Sequence, residues 1–148
     1  MKKLIALLLA LLCLTLPAWA EDALVIDGVT FSADGTVRHT EAFAKRTVFS
    51  GWDVFRSEFP LLTLICPEAV NDMINSLIDI AQYENVSFPR WEILGHEAGC
   101  MIGDPGVIVT VDAYKKGIRD FDVEKAYDIC LKTALDPNTR RNHARELN

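Results

Sequence analysis

The chain has 148 residues, 50% of them hydrophobic, and a formal net charge of −6. A polypeptide of this size holds one domain with a modest core. An acidic chain without a basic run excludes nucleic acid and anionic membrane surfaces as natural partners, while sugars, peptides and cations remain open.

The first element is a targeting segment. Lys2 and Lys3 precede an uncharged, leucine-rich run from Leu4 to Leu16, Pro17 breaks it, and Ala18-Trp19-Ala20 forms a small-x-small cleavage site. Residues 1–20 are therefore read as a secretory signal peptide, cleaved after Ala20, which places the mature chain in the periplasm or outside the cell. An uncleaved anchor is the alternative, but the run is shorter than the roughly 20 residues a spanning helix needs. Lipidation at Cys13 is disfavoured because Leu12 stands where a small residue is expected. Cleavage leaves Cys66, Cys100 and Cys130, an odd number without a C-x-x-C pair, best read as buried free thiols.

Residues 22–40 read as extended. Asp34-Gly35 is a turn dipeptide flanked by Val29-Thr30-Phe31 and Thr36-Val37-Arg38, the pattern of a hairpin. After Thr47 the period becomes helical. Ser50-Gly51-Trp52-Asp53 has the form of a capping box, and Trp52, Phe55, Phe59 and Leu62 share one face, with Pro60 expected to kink or restart the helix. A clearer helix begins at Pro67. Its apolar stripe is Val70, Met73, Ile74, Leu77, Ile80 and Ala81, its other face carries Asn71, Asp72, Asn75 and Asp79, and it frays near residues 83–85.

Residues 84–104 lack a long period and hold Trp91, Glu92, His96, Glu97, Cys100 and Asp104, so chemistry is sought there. Asp104-Pro105 starts another helix that Gly117 ends, although the β-branched run Val107–Val111 leaves a strand as the alternative. Asp122 caps a last helix with Val123, Tyr127, Cys130 and Ala134 on one face. Residues 136–148 form a polar, loosely ordered tail. His39 and His143 are isolated and read as solvated. Asn85-Val86-Ser87 is a formal glycosylation sequon of little weight in a bacterial-type export context.

Three ordered blocks carry a resemblance. They are Thr47–Arg56 (Thr-Val-Phe-Ser-Gly-Trp-Asp-Val-Phe-Arg) followed by Phe59–Ile65, then Phe88-Pro89-Arg90-Trp91-Glu92 with Gly99-Cys100-Met101-Ile102-Gly103, then Asp112–Asp122. Over about residues 25–135 the chain resembles glycoside hydrolase family 92. The resemblance implies a mainly α fold, a partial (α/α)6 barrel of helical hairpins behind a short β-hairpin, with residues 21–135 as a piece of the catalytic domain. It implies a secreted, calcium-dependent exo-α-mannosidase of α-1,2 type that inverts the anomeric centre of mannose-containing glycans.

Inversion needs a protonated carboxyl for the leaving oxygen and a second carboxylate, roughly 6.5–9.5 Å away, to activate water. By resemblance Glu97 is the acid, and His96 orients a substrate hydroxyl. The base aspartates and the pair that reads the α-1,2 linkage fall in a downstream segment that these residues do not match. The calcium ligands are not assignable.

Other site residues keep two readings. Asp53 is either the capping partner of Ser50 or, with Arg56, a sugar-hydroxyl contact. Trp52 and Trp91 are either core packing or a stacking wall for a sugar ring. Glu92 is a possible second carboxylate and substrate contact. Asp104 is a helix cap or a calcium ligand. A chain holding half of the carboxylate pair is expected to be inactive alone, and a non-catalytic mannose-binding or partner-binding remnant is the alternative. Leu61–Ile65 and Val107–Val111 are the apolar faces through which association is expected.

Overall fold

A computed structural model describes residues 29–31, 37–47, 49–84, 87–93 and 96–135. The signal segment, the Asp34-Gly35 turn, Asn85, Val86 and the tail from 136 lie outside the described residues. In chain order the elements are β1 (Val29–Phe31), β2 (Val37–His39), α1 (Gly51–Val54), α2 (Glu58–Ile65), α3 (Pro67–Glu84), β3 (Glu92–Ile93), β4 (His96–Glu97), α4 (Pro105–Lys115) and α5 (Val123–Leu135). The fold is mainly helical, as expected for a partial helical barrel. β1 and β2 pair antiparallel with Val29 opposite His39, which is the expected hairpin.

α3 is the axis of the assembly, and α2, α4 and α5 all pack on it. Its sequence explains why. Pro67 opens the first turn, where no N–H partner is needed, and Glu68 complements the positive helix end. The expected stripe is the buried one: Val70, Ile74 and Ala81 are fully buried, and Leu77 and Ile80 nearly so. Each buried aliphatic side chain contributes about 1.5–3 kcal/mol relative to exposure.

The other face of α3 is not simply solvated. Segment 44–46 lies along it, and the Arg46 guanidinium sits 3.1 Å from Asp72 Oδ2. The Lys45 ammonium pairs with Asp79 and donates to the Ser76 carbonyl at 3.4 Å. The Arg46 backbone N–H donates to Ser76 Oγ at 2.8 Å. Two buried cations thus take their partners from the helix face that periodicity alone assigns to water. Burial holds the Lys45 amine below the ordinary lysine value, against the opposing pull of Asp79 and Glu92.

The predicted helix through Trp52 and Leu62 is two helices. Pro60 has no N–H to give to the carbonyl of residue 56, so α1 closes and α2 restarts with Pro60 in its first turn. α4 is a helix despite its β-branched run. Gly106, Val109, Thr110 and Ala113 recur at helical spacing and are all buried, so packing overrides the local strand preference. Asp104 precedes α4, but its side chain makes no capping bond. Asp122 does cap α5, its Oδ1 accepting from the Lys125 N–H at 3.0 Å.

α5 corrects the sequence reading. Ala126, Ile129 and Thr133 face the core, whereas Tyr127 is 62% exposed. The helix carries two adjacent apolar stripes, and the one with Val123, Tyr127 and Cys130 lines an open groove of about 490 Å³ beside Thr110, Val111 and Tyr114. The expected apolar patches are half right. Leu61, Leu64, Ile108 and Val111 are exposed, while Thr63, Val109 and Thr110 between them are buried. Among the described residues no helix is long and apolar enough to cross a membrane.

Two glycines permit close approaches. A Cβ on Gly51 would stand 2.7 Å from the Arg90 carbonyl oxygen and 2.8 Å from Pro105 Cγ. A Cβ on Gly106 would stand 2.5 Å from Phe88 Cβ. The 88–90 segment is therefore held between the start of α1 and the start of α4.

Candidate functional site

The conformity of residues 88–90 to two helix starts brings the two motif-bearing stretches, 47–56 and 90–97, side by side. β3 and β4 pair antiparallel with Glu92 opposite Glu97 and Ile93 opposite His96, a short hairpin where the absence of a long period predicts only loop. The Glu92 N–H donates to the Phe49 carbonyl at 2.9 Å. In return Glu92 accepts from Thr47 Oγ1 at 2.7 Å and from the Phe49 N–H at 3.2 Å.

Glu92 is fully buried. No part of its side chain reaches the surface of this chain. Its carboxylate is instead an internal tie between two chain segments.

Next to it, the Trp91 indole N–H donates to Ser50 Oγ, and the Ser50 hydroxyl donates to Asp53 Oδ2. The direction is fixed, since indole nitrogen is a donor only and an ionised carboxylate an acceptor only. Ser50 therefore does not cap α1 through its side chain; it passes a hydrogen bond from Trp91 to Asp53. Trp91 is half-buried, and Asp53 lies exposed at the outer end of the relay.

Trp52 is 39% exposed. Its ring lies 5.8 Å from that of Phe55, tilted by 47°. The Arg56 guanidinium stands 4.9 Å from the Phe55 ring centre and 5.9 Å from that of Trp52. Arg56 is thus held over aromatic faces beside Asp53, presenting donors at the surface.

Glu97 sits at the mouth of the loop that follows. Its Oε2 accepts from the Arg90 N–H at 2.5 Å and the Trp91 N–H at 3.4 Å, and its Oε1 accepts from the Gly99 N–H at 2.9 Å. The Arg90 Nε lies 3.9 Å from Oε1, and Arg90 Nη1 donates to the Met101 carbonyl at 3.0 Å. The loop turns through left-handed backbone at Gly99, Met101 and Gly103. Met101 is the non-glycine residue there, a conformation uncommon for such a side chain. The backbone of His96 is in β4; its side chain lies outside the described set.

The structure therefore brings Trp52, Asp53, Arg56, Trp91 and Glu97 together around two stitched segments. Sequence reading missed Arg90, Thr47 and Ser50 as parts of the arrangement. Arg90 is 7% exposed, a buried cation between Pro89 and Trp91, and a burial signal of that kind is invisible in composition.

Among the described residues no group of three or more His, Cys, Asp or Glu side chains is placed to hold a metal ion, so these residues do not by themselves fit a calcium site. Asp104 stands alone in this respect. Two open concavities, the α4–α5 groove and one of about 500 Å³ lined by Asn71 and Gly117–Asp120, do not include the residues of the site. Among the described residues Cys66, Cys100 and Cys130 are free thiols. Cys66 and Cys130 are half-buried as thiols of a helical core, whereas Cys100 is exposed, contrary to expectation.

The mainly helical chain thus carries an aromatic and carboxylate cluster between the start of α1 and the β3–β4 hairpin, in keeping with a partial helical barrel. Residues 18–148 match the glycosyl hydrolase family 92 catalytic domain, and the chain belongs to that family. The solved family GH92 alpha-mannosidase BT3965 from Bacteroides thetaiotaomicron is 33% identical, with a TM-score of 0.71 over 76% of this chain. It has also been solved in complex with mannoimidazole. The family GH92 inverting mannosidase BT2199 from the same organism is 37% identical, with a TM-score of 0.60 over 68% of this chain. The chain spans 15% and 13% of the lengths of these two proteins. No curated protein sequence matches.

Proposed function

We propose that this chain supplies the acid-bearing part of a barrel that hydrolyses terminal α-mannose from glycans with inversion, acting outside the cytoplasm. The observation that carries the reading is the stitching of residues 47–53 to residues 90–97. It sets Trp52, Asp53 and Arg56 beside the loop of Glu97 in a chain of this family.

On this reading Trp52 offers its ring face to the apolar side of a pyranose, and Trp91 braces that wall through Ser50. Asp53 accepts from sugar hydroxyls, and Arg56 donates to them. Glu97 gives its proton to the departing glycosidic oxygen. The water-activating carboxylate is supplied by other parts of the enzyme, and so are the calcium ligands and the residues that would read an α-1,2 linkage.

Calorimetric titration of the chain with mannoimidazole tests the sugar site. Binding is expected, with about a tenfold loss on Trp52→Ala, the order of one well-packed aromatic contact. Absence of binding by the unaltered chain refutes the sugar-site assignment. Incubation with an α-mannobiose is expected to give no release of mannose, and sustained turnover refutes the claim that a second carboxylate must come from elsewhere.

A further inference from the structure

Glu92 has no place in the chemistry just described, yet it is the most completely enclosed acidic side chain among the described residues. A carboxylate inside a protein is costly unless it is met by donors and by opposite charge. Here it is met by both. Thr47 Oγ1 and the Phe49 N–H lie at 2.7 and 3.2 Å, and the buried Lys45 ammonium acts on it electrostatically.

The contacts fall in consecutive register. Residue 47 bonds to 92, residue 49 bonds to 92 through both backbone and side chain, and residue 50 bonds to 91. One strand of this seam leads directly into Trp52 and Asp53. The other leads directly into Trp91 and, across the β3–β4 pairing, Glu97. A single backbone bond, Glu92 N–H to Phe49 O, would leave the seam free to pivot; the Glu92 carboxylate adds two further attachment points and removes that freedom.

We propose that Glu92 is a positioning residue of the sugar site, fixing the Trp91–Ser50–Asp53 relay and the Glu97 loop relative to Trp52 without touching the ligand. This rests on the reading of those residues as the sugar site. A purely structural role would lower stability and leave the geometry of the surviving folded molecules alone. A positioning role changes the relay itself.

The test compares Glu92→Gln and Thr47→Val with Ile74→Val, a core truncation on α3 that removes none of the seam's hydrogen bonds and lowers stability by about 0.5–1.5 kcal/mol. Three quantities are read on the whole chain: the Trp91 indole N–H resonance, assigned with Trp91→Phe; exchange of the Phe49 amide; and mannoimidazole affinity. In Glu92→Gln the carboxylate pair of acceptors becomes one acceptor and one donor facing the Phe49 N–H or Thr47. The indole resonance is expected to shift, Phe49 exchange to accelerate about tenfold or more, and affinity to fall about tenfold, the scale for losing a hydrogen bond to a charged group.

Thr47→Val, which spares the carboxylate but removes one of its donors, should produce the same changes on the same scale of about tenfold. It also decides the matter if Glu92→Gln does not fold. Ile74→Val should lower the Tm and leave all three readouts unchanged. An unmoved indole resonance and Phe49 exchange in the folded variants overturns the proposal, as does an equal change in Ile74→Val. If the unaltered chain does not bind mannoimidazole, the sugar-site reading fails by itself. The indole and amide measurements then still decide whether Glu92 sets the seam.

Discussion

Gly106→Ala is the substitution that separates the packing described here from local helix propensity. Alanine is favoured over glycine inside a helix by about 1 kcal/mol, so propensity alone predicts a more stable protein. The geometry predicts the reverse. The new Cβ would lie 2.5 Å from Phe88 Cβ and 2.9 Å from Phe88 Cγ. Phe88 has no room to retreat: it is 3% exposed, and its N–H is held by Thr133 Oγ1 at 2.9 Å. Because the nearest atom is Cβ, no change of rotamer relieves the clash, and α4 or the 88–90 segment has to move.

Overpacking of this kind costs about 1–3 kcal/mol, and a contact so far inside the van der Waals distance belongs at the upper end. Subtracting the propensity gain leaves about 2 kcal/mol of net destabilisation. At about 4 °C per kcal/mol for a domain near 100 residues, the midpoint should fall by roughly 8 °C. Ile108→Ala, two residues along and 47% exposed, is the control, and should stay within about 0.5 kcal/mol of the parent. The assay is thermal and urea unfolding followed by circular dichroism at the helix band and by tryptophan fluorescence. A Gly106→Ala protein as stable as the parent would refute the argument that the 88–90 segment is clamped between two helix starts.

Three further outcomes are expected. Lys45 has a folded-state pKa below 10.5, because burial outweighs the attraction of Asp79 and Glu92. The unfolded chain then binds more protons than the folded one between the two pKa values, so the group's contribution to stability rises with pH up to the unfolded value. Unfolding free energies of the parent minus those of Lys45→Met should therefore climb as the pH approaches 10.5 and level off above it; a decline would show the ion pair prevailing over burial. Thiol titration of the native protein should find Cys100 reacting before Cys130, since Cys100 is exposed and burial pushes the Cys130 pKa up to about 11. Equal rates would contradict the packing of α5. Calcium or a chelator should leave the thermal midpoint of this chain unchanged, and a rise with calcium would reveal a site that the described side chains do not form.

The helices were readable because their signals are local. Pro67 with the Val70–Ala81 stripe places α3 to within a residue, and Asp122 announces the start of α5. Where two signals compete, local reading leaves an alternative open. Val107–Val111 satisfies strand propensity, and only the burial of Gly106, Val109 and Ala113 decides for a helix. On α5, two neighbouring stripes were equally apolar, and contact with α3 and α4 selected Ala126, Ile129 and Thr133.

The candidate residues could be named from the sequence, but not their wiring. Trp52, Asp53 and Trp91 stand in motif blocks that the family resemblance picks out, and Glu97 lies between two of them. Nothing local to Glu92 distinguishes a buried tie from a surface acid, since its partners Thr47 and Phe49 are more than 40 positions away. The same holds for Lys45 and Arg46, whose acidic partners on α3 resemble ordinary solvent-facing residues until the tertiary structure is known.

The seam between residues 47–50 and 90–92 also has a kinetic meaning. Joining Thr47 to Glu92 closes a loop that contains α1, α2 and all of α3. Closing so long a loop in an open chain costs conformational entropy, and that cost is offset only when the enclosed helices have already collapsed on one another. The surface that carries Trp52 and Asp53 should thus be a late product of folding, appearing after α3 has gathered α2. In a pulse-labelling experiment the Phe49 amide would become protected after the amides of α3, and any substitution that delays α3 would delay the site with it.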